Sequence, residues 1–413
     1  MSGSGPPEGF GGGSDDPFRG MPFFGDLARM ISQQGPVSWD AARQLAVSIA
    51  SGGTSEPNVD PAERMKVEQL IRVADLHVAG ATGLSTSVTG RGLTATAVNR
   101  GQWVAQSTDA YRPLFERLAG SLGQARVAGT GDQPGADPDD PGGDPMGAWL
   151  GQILQMMAPM MLGMTAGSML GHLAQRSFGQ YDLPVPRPPS DELILLTPNI
   201  HAFGREWSLP DDDLLLWVCV HEVAHHAVLG IPHVRQRLSS LLAQYAEGFQ
   251  PDPGALEQKL GDLPFDDPSA MGGLGELQSL LGDPEVLLGA IQSPAQRELL
   301  PRIDALVTVI VGYVDCVMDR IGGQLISSYP MLTEALRRQR VEADPSDRFV
   351  EKLLGLELTQ ARYDRGSAFV DGVVERAGPD GIEPLWRSER ELPTPAEVDA
   401  PGLWLARIEL PDD

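Results

Sequence analysis

Residues 208–230, Ser-Leu-Pro-Asp-Asp-Asp-Leu-Leu-Leu-Trp-Val-Cys-Val-His-Glu-Val-Ala-His-His-Ala-Val-Leu-Gly, constrain this chain more than any other stretch. They predict one helix over 209–229. Ser208 is placed to cap it, Pro210 suits its first turn, and the aspartates at 211–213 complement the positive end of the helix dipole. Gly230 and Pro232 stop it. The run 214–220 is apolar all round, and such a helix is stable only when other elements cover it. The rest of the chain therefore has to be built around this rod.

The rod also carries chemistry. His221 and His225 are separated by one helical turn and about 40° of rotation, so both imidazoles can reach one metal ion. Glu222 lies beside them, as the pattern His-Glu-x-x-His requires of a general base. In that chemistry zinc acidifies water and polarises a carbonyl, and the carboxylate takes the proton. His226 is turned about 140° from His221 and is expected to cap or support rather than bind. Cys219 and Cys316 read as small core residues.

A catalytic zinc needs a third protein ligand and an open position. Asp315 is the first choice. It interrupts a run without charge from 305 to 314, and a carboxylate there is costly unless paired or bound to metal. Asp319, one turn on, and His233, eight residues past His225, are the alternatives, as ligands or as groups that orient one. Tyr313, Tyr363 and His233 are candidates to steady an oxyanion.

Charge excludes some partners. The net charge of −25 argues against nucleic acid, which needs clustered Lys and Arg, and against anionic membranes. A peptide or protein substrate remains the expected partner. Two cysteines and an N-terminus without a basic start or apolar run suggest the cytoplasm.

Composition divides the chain. Residues 1–20 are rich in Gly, Pro and Asp and read as disordered. Residues 21–127 carry helical periodicity, with helices starting near Pro22, Trp39, Pro61, Ala95 and Tyr111. Residues 128–145 are an acidic Gly/Pro linker, and 146–413 form the catalytic region. No charge occurs from 146 to 174, but the stretch is only mildly apolar. It reads as a buried helical hairpin broken near Pro159 or Gly163 rather than a membrane span. Residues 192–198 predict a short strand, continued by a strand or loop over 199–207, and a substrate would lie along 192–207. Helices are expected at 233–249, 275–292, 295–321, 324–340, 345–355 and 357–377, then an extended tail.

Three segments carry a resemblance: Trp217-Val-Cys-Val-His-Glu-Val-Ala-His-His-Ala-Val-Leu-Gly-Ile-Pro-His, Val311-Gly-Tyr-Val-Asp-Cys-Val-Met-Asp, and Leu353-Leu-Gly-Leu-Glu-Leu-Thr-Gln-Ala-Arg-Tyr. The chain resembles the actinobacterial zincin-like metallopeptidases, a His-Glu-x-x-His family formerly known as a domain of unknown function, over roughly residues 20–408. The resemblance implies a mainly α, zincin-like fold with a small strand element before the active-site helix. It implies a zinc-dependent peptidase with His221 and His225 as ligands and Glu222 as the catalytic acid/base. Other branches of that family carry Glu-Gly-His where this chain has Val311-Gly312-Tyr313. If that Glu is their third ligand, Asp315 takes its place here or the site is weakened. The alternatives to a peptidase are a metal hydrolase of a small amide or ester, and a non-catalytic scaffold.

Overall fold

The protein is described by a computed structural model covering residues 35–131, 145–249, 293–342 and 350–410. The expected helices near residue 22 and at 275–292 and the disordered start lie outside the described residues.

The fold is mainly helical, as the patterning predicts. In chain order it runs α1 (Trp39–Ala50), α2 (Pro61–Thr82), β1 (Thr94–Ala97), α3 (Arg100–Gly131), α4 (Pro145–Arg176), β2 (Glu192–Leu195), α5 (Thr197–Glu206), α6 (Asp211–Gly230) and α7 (Pro232–Glu247). It continues with α8 (Pro294–Leu325), α9 (Tyr329–Glu342), α10 (Gln360–Ala377), two 3-10 turns, α11 (Pro395–Val398) and α12 (Pro401–Ile408).

Helix starts follow local chemistry. The Asp60 side chain accepts from the Ala62 N–H at the head of α2, with Pro61 as its first residue. Ser293 and Gln296 form a reciprocal capping box at the head of α8. α6 departs from the expected cap. Its N-cap is Pro210, with no side-chain cap, and Ser208 sits at φ 54°. Ser208 is used instead in the turn leaving α5, where its N–H and that of Leu209 close onto Arg205 and Gly204 carbonyls.

α6 is buried along almost its whole length, from Leu214 to Leu229, apart from its partly exposed edge at Leu216 and His221. α2 packs on one side of it and α8 on another. β1 pairs in parallel with β2, Thr94 opposite Glu192 and Ala97 opposite Leu195. The region before residue 132 thus supplies one strand and one wall of the housing of α6.

Four readings need correction. Residues 145–176 form one continuous helix, α4, with Pro159 inside it, and not a broken hairpin. Pro159 forfeits one helical hydrogen bond, but its carbonyl accepts from the Ser38 N–H at 2.8 Å. Glycines 163, 167 and 171 then let α1 approach. A Cβ at those positions would lie 2.4 Å from the Ser38 carbonyl oxygen, 2.5 Å from the Ala42 carbonyl oxygen and 2.7 Å from the Ile49 Cβ. The stretch without charge is therefore spent on helix contact, and among the described residues no single helix is long and apolar enough to cross a membrane.

The second correction is at 94–131, where the expected helix pair is a strand followed by one long helix that absorbs Pro113. The third is at 197–206, which is helix α5. The fourth is the tail, which coils into short helices and buries Trp404 completely, its indole N–H donating to the Glu391 carbonyl at 2.6 Å.

Asp191, just before β2, organises the loop ahead of β1. Its carboxylate accepts from the backbone of Val88, Thr89 and Arg91 and from the hydroxyls of Ser87 and Thr89. Burial alone would raise its pKa, but these donors outweigh it and hold the group at about 2. A carboxyl with a depressed folded pKa stabilises the fold above its unfolded value and loses that contribution as pH falls. The loss is expected between about pH 4 and pH 2. Melting curves of wild type and Asp191→Asn should therefore differ at pH 6 and converge near pH 2. Parallel curves over that range would refute the assignment.

Candidate metal centre

The two imidazoles lie together on α6. His221 and His225 have ring centroids 4.3 Å apart, at 53° to each other. His225 is 2% exposed, and its Nδ1 lies 3.1 Å from the His221 carbonyl oxygen. That bond fixes the proton on Nδ1 and leaves Nε2 as a lone-pair donor. Burial, then the neighbouring His221 and Arg340, hold the His225 pKa well below its ordinary value despite that backbone bond, so the ring is neutral. His221 is more open, with 14% of its side chain exposed, and it stacks on Trp217 at 5.0 Å.

Glu222 is fully buried. Its seat is the turn at 179–181. Oε2 accepts the N–H of Gln180 at 2.8 Å and of Tyr181 at 3.1 Å. Oε1 takes a longer contact from Tyr181 at 3.3 Å and lies 3.5 Å from His221 Nδ1. Gly179 makes this seat possible, because a Cβ there would fall 2.3 Å from the Glu222 Cδ. Asp182 closes the same turn, accepting the N–H groups of Phe178 and Gly179. Burial and then the Glu222 charge push the Asp182 carboxyl up, with His221 opposing.

The turn has a second effect. The N–H of Ile194 donates to the Gln180 side chain and that of Leu196 to the Phe178 carbonyl. The edge of β2 that does not face β1 is therefore covered by the chain itself. The expected substrate path along 192–207 is not open, because that edge is engaged and 197–206 is helical.

Asp315 sits on α8, which packs against α6. Among the described residues no hydrogen-bond or ion-pair partner reaches its carboxylate. Burial raises its pKa, while Arg340 and His221 lower it. Arg340, on α9, lies over the Tyr363 ring at 3.8 Å. Asp319 is exposed and accepts the Tyr329 hydroxyl at 2.7 Å. His233 begins α7, with Glu389 and Glu391 as its charged neighbours. Tyr313 packs edge-on against Trp386 and Tyr363 is buried in the core. Val311 is 1% exposed, as an apolar core residue should be.

Zinc suits the donors that are present, two neutral-capable nitrogens one turn apart with a carboxylate beside them. Among the described residues no three His, Cys, Asp or Glu side chains gather into one metal-holding group. Two imidazoles that could share a metal lie together, and among the described residues no third donor is brought to them.

The sequence model of the zincin-like metallopeptidase family matches residues 37–405. The chain belongs to that family. No curated protein sequence matches it. Among solved structures it is similar to a crystal structure of a candidate hydrolase with a novel fold from Chloroflexus aurantiacus, at 22% identity and a TM-score of 0.62. The match covers 91% of this chain and 100% of the other, and it shows a shared fold. In this zincin-like metallopeptidase family member the matched region takes in α6, with His221, Glu222 and His225 on it.

Residue reasoning missed Tyr181, Asp182, Trp217 and Arg340. Three of them come from elements distant in sequence from His221, and nothing in the local pattern Phe178-Gly-Gln-Tyr-Asp marks it as the seat of a carboxylate. Trp217 alone was legible, four residues before His221 on the same helical face.

Proposed function

We propose that the protein is a zinc-dependent hydrolase that cleaves peptide bonds, with a peptide or protein as its substrate. The observation that carries this reading is the pair of imidazoles 4.3 Å apart with the Glu222 carboxylate held beside them. Family membership supports zinc as the metal. His221 and His225 would hold it. Bound there, zinc would supply Lewis acidity, polarising a carbonyl and acidifying water. Glu222 would accept the water proton at Oε1, the oxygen turned toward His221, while two backbone N–H groups fix Oε2. Arg340, anchored on Tyr363, would attract developing negative charge near the rings. The two unpaired cysteines support a reducing compartment, the cytoplasm.

Asp315 is assigned as the third donor, since it is a part-buried carboxylate without a protein partner and within electrostatic reach of His221. Zinc content measured after dialysis tests both assignments. Wild type should retain one equivalent, His225→Ala should retain none, and Asp315→Ala should bind at least about tenfold more weakly. Full zinc retention in Asp315→Ala would move the third ligand elsewhere. A zinc-loaded protein that cleaves no member of a random peptide mixture would sink the peptidase reading.

One observation favours the second reading, a small amide or ester as substrate. An extended peptide can bind by adding a strand to an exposed sheet edge, and here the edge of β2 is occupied by residues 178–180. Turnover of short acyl-amides without cleavage of longer peptides would decide for it.

A further inference from the structure

One residue outside α6 holds three positions on it. Glu222, His225 and His226 are spaced i, i+3 and i+4, so their side chains share one face of the helix. Tyr181 packs on that face. Its backbone N–H donates to Glu222 Oε2 at 3.1 Å. Its ring runs nearly parallel to that of His225, at 16° and with 6.3 Å between centroids. Its hydroxyl hydrogen-bonds to His226 Nδ1 at 3.1 Å. Tyr181 is 4% exposed and His226 is 3% exposed, so bulk water does not compete for these contacts.

Tyr181 projects from a fixed base. Asp182 accepts the N–H groups of Phe178 and Gly179. The Phe178 carbonyl accepts from the Leu196 N–H at 2.7 Å, the Gly179 carbonyl from the Trp103 indole at 2.6 Å, and the Gln180 carbonyl from Arg187. The turn is thereby tied to α3 and to the head of α5. His226, by contrast, carries a cost. Its Nε2 is buried without a hydrogen-bond partner among the described residues, and an unsatisfied buried polar atom is unfavourable. An apolar ring of similar shape would avoid that cost, but it could not fix the Tyr181 hydroxyl. The imidazole at 226 is therefore accounted for by a directional bond, which an apolar contact does not supply.

We propose that Tyr181 is a positioning residue of the metal centre, which keeps the Glu222 carboxylate and the His225 ring in register by anchoring its own hydroxyl on His226. This rests on the zinc reading of the site. Tyr181 touches no reacting atom and acts through its neighbours. The bond to His226 fixes the Tyr181 ring, the ring limits the swing of His225, and the N–H of the same residue holds the Glu222 oxygen that does not face His221. With Nδ1 tied to the His221 carbonyl and Tyr181 alongside the ring, His225 presents Nε2 in one direction.

Full-length Tyr181→Phe, alone and combined with His226→Phe, tests the proposal against a purely structural role. The single variant removes the hydroxyl and leaves both His226 nitrogens without a partner, so its melting temperature should fall. The double variant replaces both partners by apolar rings, and the cavity of about 10 Å³ that His226 lines gives the second ring room, so the melting temperature should recover. Zinc affinity, read by competition with a chelating dye, should be weaker by about tenfold in both variants. In the metal-free protein the amide protons at positions 180 and 181 should exchange about tenfold faster in the double variant, because the grip on Glu222 loosens. Zinc affinity that recovers together with the melting temperature would make Tyr181 a packing residue, and so would wild-type exchange at 180 and 181. A wild type that binds no zinc would sink the hydrolase reading, and amide exchange would then decide the anchor by itself.

Discussion

Glu222→Gln is expected to lower hydrolytic turnover by about a hundred- to ten-thousand-fold while zinc content stays unchanged. The substitution keeps the shape of the side chain. Its carbonyl oxygen can still accept the N–H groups of Gln180 and Tyr181, which now hold Oε2. What disappears is the basic oxygen facing His221. A peptide assay and metal analysis on one preparation separate the two effects. Unchanged turnover would leave Glu222 as a buried structural acid. Loss of zinc along with turnover would mean that the carboxylate holds the rings rather than moves a proton.

Gly312→Ala is expected to cost about 3 kcal/mol or more, because it forces backbone against backbone. α8 and α10 cross where Gly312 meets Gly366. A Cβ on Gly312 would sit 2.2 Å from the Gly366 carbonyl carbon, and one on Gly366 would sit 2.3 Å from the Thr308 carbonyl oxygen. No side-chain rotation relieves either contact. α8 would have to move away, and Asp315, three residues on, would move with it. Gly323→Ala is the control. It lies on the same helix with nothing within 4 Å and should stabilise by about 0.5–1 kcal/mol. Thermal melts of the two variants should move in opposite directions. Similar shifts would show that helix propensity, not the crossing, governs both sites.

The structure explains why some elements were legible and others not. α2 and α7 were read nearly to their ends, because a proline at the start and apolar residues at helical spacing are local signals. α4 was misread for the same reason. Pro159 signals a break locally, and only the close seat of α1 against Gly163, Gly167 and Gly171 keeps the helix whole. Ser208 carried the residue type of a cap but was taken by the preceding turn.

The residues from His221 to His225 determined by themselves that one buried helix presents two imidazoles and a carboxylate, since helix geometry places side chains one turn apart on a common face. Tertiary structure alone decided what surrounds them. It seated Glu222 on the 178–182 turn, covered the edge of β2 and packed α8, which carries Asp315, against α6. Those relations join residues from different elements, and such contacts are set by how the elements pack rather than by any period along the chain.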